Sequence, residues 1–125
     1  IQMFMPGIPQ VWFLDLFAGV NDYEAADSGS AGGHKEINRT TLTSADIEHG
    51  LKRIVVQDQL ELIRLRNTSA AFDGDLVVGE APENCLSLTW KNSGWEAQLE
   101  ADLTSLAFTV RHLDDKGVES ILSYH

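Results

Sequence analysis

The chain has 125 residues, 43% hydrophobic and 22% charged, which suits one folded domain or a domain piece with a small appendage. Lys and Arg total 9 against 19 Asp and Glu, and the resulting net charge of −10 speaks against nucleic-acid and anionic-membrane partners. A lone cysteine, Cys85, closes no intrachain disulfide and reads as a buried, inert thiol in a reducing, cytoplasmic setting.

The first element follows the turn Pro6-Gly7-Ile8-Pro9. Residues 11–17 are continuously apolar except for Asp15, too short a run to span a bilayer. Unbroken apolarity of this kind predicts a strand buried on both faces, with Pro9 at its start, where the missing N–H does no harm. Such a strand needs neighbours on both sides, so the expectation is a piece of a larger α/β enzyme. Residues 18–43 are rich in Gly, Ser, Asp and Asn, show no apolar period, and read as a long functional loop.

Thr43, with Asp46 three residues on, is a helix-capping pair, and Gly50 is placed to end or bend the helix it starts. A longer helix is predicted over 51–66, with Val56, Leu60 and Ile63 on one stripe, broadened by Val55 and Leu62. The period then changes. Trp95, Ala97, Leu99, Ala101 and Leu103 alternate with polar residues, which marks a half-buried strand. Further strands are predicted at 75–79, 85–90, 106–113 and 118–124. The turns between them are Pro82-Glu83-Asn84, Lys91-Asn92-Ser93-Gly94 and Asp114-Asp115-Lys116-Gly117, so an antiparallel meander of about five strands is expected. The boundary falls at Phe72-Asp73-Gly74 and divides the chain into residues 1–72 and 73–125.

Ordered motifs then carry a resemblance. Pro6-Gly7-Ile8-Pro9-Gln10-Val11-Trp12-Phe13 is similar to the strand-eight motif of the α-amylase superfamily. It is followed by Ala18-Gly19-x-Asn21-Asp22, Ile37-Asn38-Arg39, Leu51-Lys52-Arg53-x-Val55-Val56, and Ile63-Arg64-x-Arg66-Asn67 with Ala71-Phe72. The series resembles sucrose phosphorylase and its relatives over roughly residues 3–74. The resemblance implies an α+β piece: the last strand and helices of a (β/α)₈ barrel, then a small antiparallel β domain. It implies a retaining double displacement that passes glucose from sucrose or a similar glucoside to inorganic phosphate. The family's catalytic carboxylates come from earlier strands, so no catalytic residue is expected in this chain, which alone should be inactive. An α-glucoside hydrolase of the same superfamily and a non-catalytic, carbohydrate-associated β module are the alternatives.

The chain departs from the family pattern near the acceptor side. Trp12-Phe13 and Leu14-Asp15 replace the usual two tyrosines and Val-Gly, His34-Lys35 replaces Gly-Arg, and Thr40 replaces a common His. Because barrel active sites lie at the C-terminal ends of the strands, the loop 18–43 is placed over the active-site mouth. Arg39 is the leading substrate-binding candidate, able to hold phosphate or an acceptor hydroxyl through its fork of donors, or to anchor the loop by a salt bridge. Asn21 and Asp22 can line a sugar site or serve as turn residues. The four histidines and Cys85 lack metal-ligand spacing, and neither a metal nor a cofactor is expected. Trp90 and Trp95 flank one hairpin turn and read as core packing or as sugar-stacking rings. Apolar surface without its barrel partners predicts that the chain alone forms a homo-oligomer.

Overall fold

The structure is a computed structural model that describes residues 1–27 and 33–124. Among the described residues four α-helices come first: α1 (Phe13–Leu16), α2 (Tyr23–Asp27), α3 (Ser44–Gly50) and α4 (Ile54–Thr68). Five strands follow: β1 (Asp75–Val78), β2 (Cys85–Asn92), β3 (Trp95–Asp102), β4 (Phe108–Leu113) and β5 (Glu119–Tyr124). Short 3₁₀ turns lie at Gln2–Phe4, Gly33–Lys35 and Ala70–Asp73. Among the described residues no helix is long and apolar enough to cross a membrane. The chain divides into two compact units, Ile1–Pro9 with Arg64–His125, and Gln10–Ile63.

The unit holding the sheet is an antiparallel meander in the order β1-β2-β3-β4-β5. Its alternation follows the sequence pattern. Leu88 pairs with Leu99, which pairs with Val110, and Trp90 pairs with Ala97; all five are buried. Successive strand residues point to opposite faces, so these side chains share one face, and that face is the core. Ser93 and Gly94, both at positive φ, form the two-residue turn between β2 and β3, as the right-handed twist of a hairpin requires. Asp102 closes the turn after β3 by accepting from the amides of Thr104 and Ser105. Asp114 accepts from Lys116 and Val118 after β4. Gly74 leads into β1 where a Cβ would run into the Lys91 carbonyl, so no larger residue fits there.

Phe4 and the Ala70–Asp73 turn cover the core. The Phe4 and Phe72 rings meet edge to face at 5.3 Å, and Phe72 and Trp90 lie 5.9 Å apart. The Trp90 indole donates to the Phe4 carbonyl at 2.8 Å. The Arg66 guanidinium lies 4.4 Å from the Phe72 ring centroid and 5.1 Å from that of Trp90, and Nη2 donates to the Gly7 carbonyl at 2.8 Å. Trp90 is therefore a core residue, whereas Trp95 is half-buried beside His112.

The strand expected over 11–17 is corrected. Residues Phe13–Leu16 form one helical turn, closed by Leu16 N–H to Trp12 O at 2.9 Å and Phe17 N–H to Phe13 O at 3.1 Å. A continuous apolar run has no period that separates a strand from a buried turn. No described segment pairs with this one, so the backbone satisfies itself locally. Of the run only Leu14 is fully buried. The orphan carbonyls at the end of α1 are taken by side chains of its own unit. Arg53 donates to the Phe17 and Ala18 carbonyls, and Gln59 to those of Asp15 and Leu16.

The loop expected over 18–43 contains α2 and the Gly33–Lys35 turn, while residues 28–32 of its Ser/Gly stretch lie outside the described residues. Gly50 is the last residue of α3, and a Cβ there would sit 2.6 Å from the Phe17 ring. The helix expected over 51–66 starts three residues later and ends two later, with Val56 buried and Leu60 and Ile63 half-buried along its stripe.

Candidate functional site

The candidate residues lie in the Gln10–Ile63 unit, where two loop segments run side by side. The Asp22 amide donates to the Ile37 carbonyl at 2.7 Å, and the Thr40 hydroxyl to the Val20 carbonyl at 3.1 Å. The structure thus brings the segment of Asn21 and Asp22 against that of Arg39. A third bond enters from the residue before α1: the Trp12 indole donates to the Asn38 carbonyl at 2.8 Å. Sequence reasoning missed this link, because nothing in local periodicity signals a bond across 26 residues.

Arg39 Nη1 contacts Glu36 Oε1 at 3.2 Å, and the two side chains are 54% and 50% exposed. An ion pair this open to water contributes about 0–1 kcal/mol, so the guanidinium gives it up at little cost. Asp22 caps α2, accepting from the Ala25 amide through Oδ1 at 2.9 Å, and so fills the turn role. Asn21 and Asp22 also line an open cavity of about 330 Å³ with Val20, Tyr23, Glu24 and Thr40; Arg39 is not among its lining residues. His34 and Lys35 are exposed on the short turn that leads to Arg39.

A second cavity of this unit, about 290 Å³, is lined by Asp46, His49 and Arg53 among others. Two of them are already engaged. Arg53 holds the end of α1, and Asp46 is locked in the capping box of α3. The Thr43 hydroxyl and amide both donate to the Asp46 carboxylate, at 2.6 and 2.8 Å, and the Asp46 amide returns a bond to the hydroxyl. These donors, the hydroxyl first, hold the Asp46 carboxyl below its ordinary range, and His49 adds to the shift. Because the folded-state value is depressed, the box contributes fully above the unfolded value of about 3.9 and is lost as pH falls through the lower folded value. A carboxyl-carbon NMR titration is expected to place the Asp46 midpoint below that of a free aspartate. Thr43→Val should move it back up, and an ordinary midpoint in the unmodified chain would contradict the box.

In the sheet unit a cleft of about 400 Å³ is lined by Cys85, Ser87, Glu100, Asp102, Phe108 and Thr109 among others. Cys85, expected to be buried, is half-buried and faces this cleft, because it opens β2 at the end of the sheet. Among the described residues no group of three or more His, Cys, Asp or Glu side chains is placed to hold a metal ion.

No protein-family model matches the chain. The sucrose 6(F)-phosphate phosphorylase of Ilumatobacter coccineus is 56% identical over 124 residues, 99% of this chain and 24% of that protein. The glucosylglycerol phosphorylase of Marinobacter adhaerens is 32% identical over 91% of this chain and 23% of its own length. The crystal structure of sucrose 6F-phosphate phosphorylase from Thermoanaerobacter thermosaccharolyticum superposes with a TM-score of 0.88 at 36% identity, covering 98% of this chain and 25% of that one. The chain thus spans about a quarter of the length of the relatives it matches. With likeness in sequence and in fold across almost all of its residues, this chain belongs to the sucrose phosphorylase family and corresponds to the C-terminal portion of its members.

Proposed function

We propose that the chain is the C-terminal part of a cytoplasmic, retaining α-glucosyl phosphorylase. Residues 1–72 belong to the end of its (β/α)₈ barrel and residues 73–125 form the β domain that follows. The enzyme transfers glucose from sucrose or a similar glucoside to inorganic phosphate by double displacement, using carboxylates supplied outside this chain. Arg39 is its anion-binding group on the rim, with Asn21 and Asp22 beside it as sugar-lining residues.

The observation that carries this reading is the 56% identity to a sucrose 6(F)-phosphate phosphorylase over 99% of the chain. That relative's name also favours a phosphorylated sucrose as the glucoside. The exposed Lys35 on the Arg39 segment fits this preference, being a cation in a chain of net charge −10. The test is an assay of the full-length protein with sucrose and with sucrose 6F-phosphate, each with and without inorganic phosphate. Phosphate-dependent release of α-glucose 1-phosphate supports the proposal. Release of free glucose at the same rate without phosphate points to a hydrolase and overturns it. The 125-residue chain by itself is expected to turn over neither sugar.

The chain alone is also proposed to self-associate. Val20 and Ile54 are 79% and 75% exposed, a degree of apolar exposure that association relieves. Light scattering should give a mass above 13.8 kDa, and a clean monomer across the accessible concentration range would contradict this.

A further inference from the structure

We infer that Trp12 is a positioning residue for Arg39, an assignment that rests on the reading of Arg39 as a substrate-binding group. The planar peptide joining Asn38 to Arg39 has two polar ends, and both are held. Its carbonyl accepts the Trp12 indole N–H at 2.8 Å, and its N–H donates to the Glu36 carbonyl at 3.0 Å. A peptide plane held at both ends fixes where the next Cα sits, and so the point on the loop from which the next side chain departs. Here that side chain is the Arg39 guanidinium.

The two holds differ in kind. Glu36 lies within the same loop and moves with it. Trp12 immediately precedes α1, whose Leu14 is buried and whose terminal carbonyls are bound by Arg53 and Gln59. The indole bond therefore references the Arg39 loop to the packed part of the unit. Burial does not explain a tryptophan here. Its side chain is more than one-third exposed and rests at a tilt against an equally exposed Phe13, with ring centroids 5.1 Å apart. What tryptophan supplies, and phenylalanine does not, is an N–H donor at the far edge of a rigid ring.

The experiment uses the full-length phosphorylase with Trp12 replaced by β-(3-benzothienyl)alanine, which keeps the ring shape and lacks the N–H. Trp12→Phe serves as the genetically simple companion, and thermal midpoints are recorded for both. Loss of one hydrogen bond that holds the loop should raise KM for the substrate read by Arg39 about threefold to tenfold, with kcat unchanged. Combined with Arg39→Ala, either Trp12 replacement should raise KM no further than Arg39→Ala alone, because the two act through one contact. If Arg39→Ala raises KM while the isosteric replacement leaves it unchanged, the Trp12 assignment falls and the functional reading stands. The assignment falls in the same way if the replacement lowers only the thermal midpoint, or if the two effects add independently. If Arg39→Ala itself leaves KM unchanged, the functional reading falls and the Trp12 assignment falls with it.

Discussion

If the proposed function holds, Arg39→Ala in the full-length protein should raise KM for the phosphate-bearing substrate about 10- to 100-fold and leave kcat nearly unchanged, the range expected for a lost charge-assisted, bidentate contact. The guanidinium is 54% exposed and its ion-pair partner is a single carboxylate, Glu36, three residues earlier. Such a pair costs little to break, whereas a phosphate offers two oxygens at the spacing of the Arg fork. Arg39→Lys keeps the charge and loses the fork, so its KM should fall between those of the parent and the alanine variant. Varying inorganic phosphate at saturating glucoside, and then the reverse, separates the two sources of the anion. A change confined to the first series assigns Arg39 to inorganic phosphate; one confined to the second assigns it to a phosphorylated glucoside. The thermal midpoint should barely move. A lowered midpoint with both KM values unchanged would show that the Arg39–Glu36 pair is a loop anchor and nothing more.

How much of this was legible in the sequence depends on the range of the interactions. The β3 pattern from Trp95 onward alternates with period two, and the observed strand occupies Trp95–Asp102. The capping box was readable because Thr43 and Asp46 are three residues apart and the bonds are local. Residues 11–17 misled because unbroken apolarity carries no period; what distinguishes a turn from a strand there is whether another strand lies alongside. The short helix α2 was hidden for a different reason. Its five residues, Tyr23–Asp27, span barely more than one turn, and their start is set by the Asp22 side chain bonding the Ala25 amide. Of the candidate site, Asn21, Asp22 and Arg39 were proposed from the ordered motifs. The Trp12–Asn38 bond beside Arg39 spans 26 residues and is set by tertiary folding, which no local pattern encodes.

The largest stability effect is expected at Trp90, where a single residue touches three pieces of the sheet unit. Its ring lies on the buried face of β2, packs against Phe72, and offers its face to Arg66; its N–H reaches back 86 residues to the Phe4 carbonyl. Trp90→Ala removes a large buried side chain from a core that cannot collapse across a five-stranded sheet, and should destabilise the unit by about 3–5 kcal/mol. Two further groups are left worse off. The buried Phe4 carbonyl loses its donor. The Arg66 guanidinium, already held below its ordinary pKa by burial, loses one of its two ring faces while its buried Nη1 has no hydrogen-bond partner among the described residues. Trp90→Phe keeps much of the packing and loses the N–H, so it should cost about 1–3 kcal/mol, chiefly for the unsatisfied carbonyl. Trp95→Ala is the control: that ring is half-buried at the hairpin end, and its loss should cost less than either Trp90 change. Urea unfolding followed by far-ultraviolet circular dichroism reads all three. A Trp90→Ala midpoint no lower than that of Trp95→Ala would mean that Phe4 and Phe72 hold the sheet without it, and that the indole is a passenger in the core.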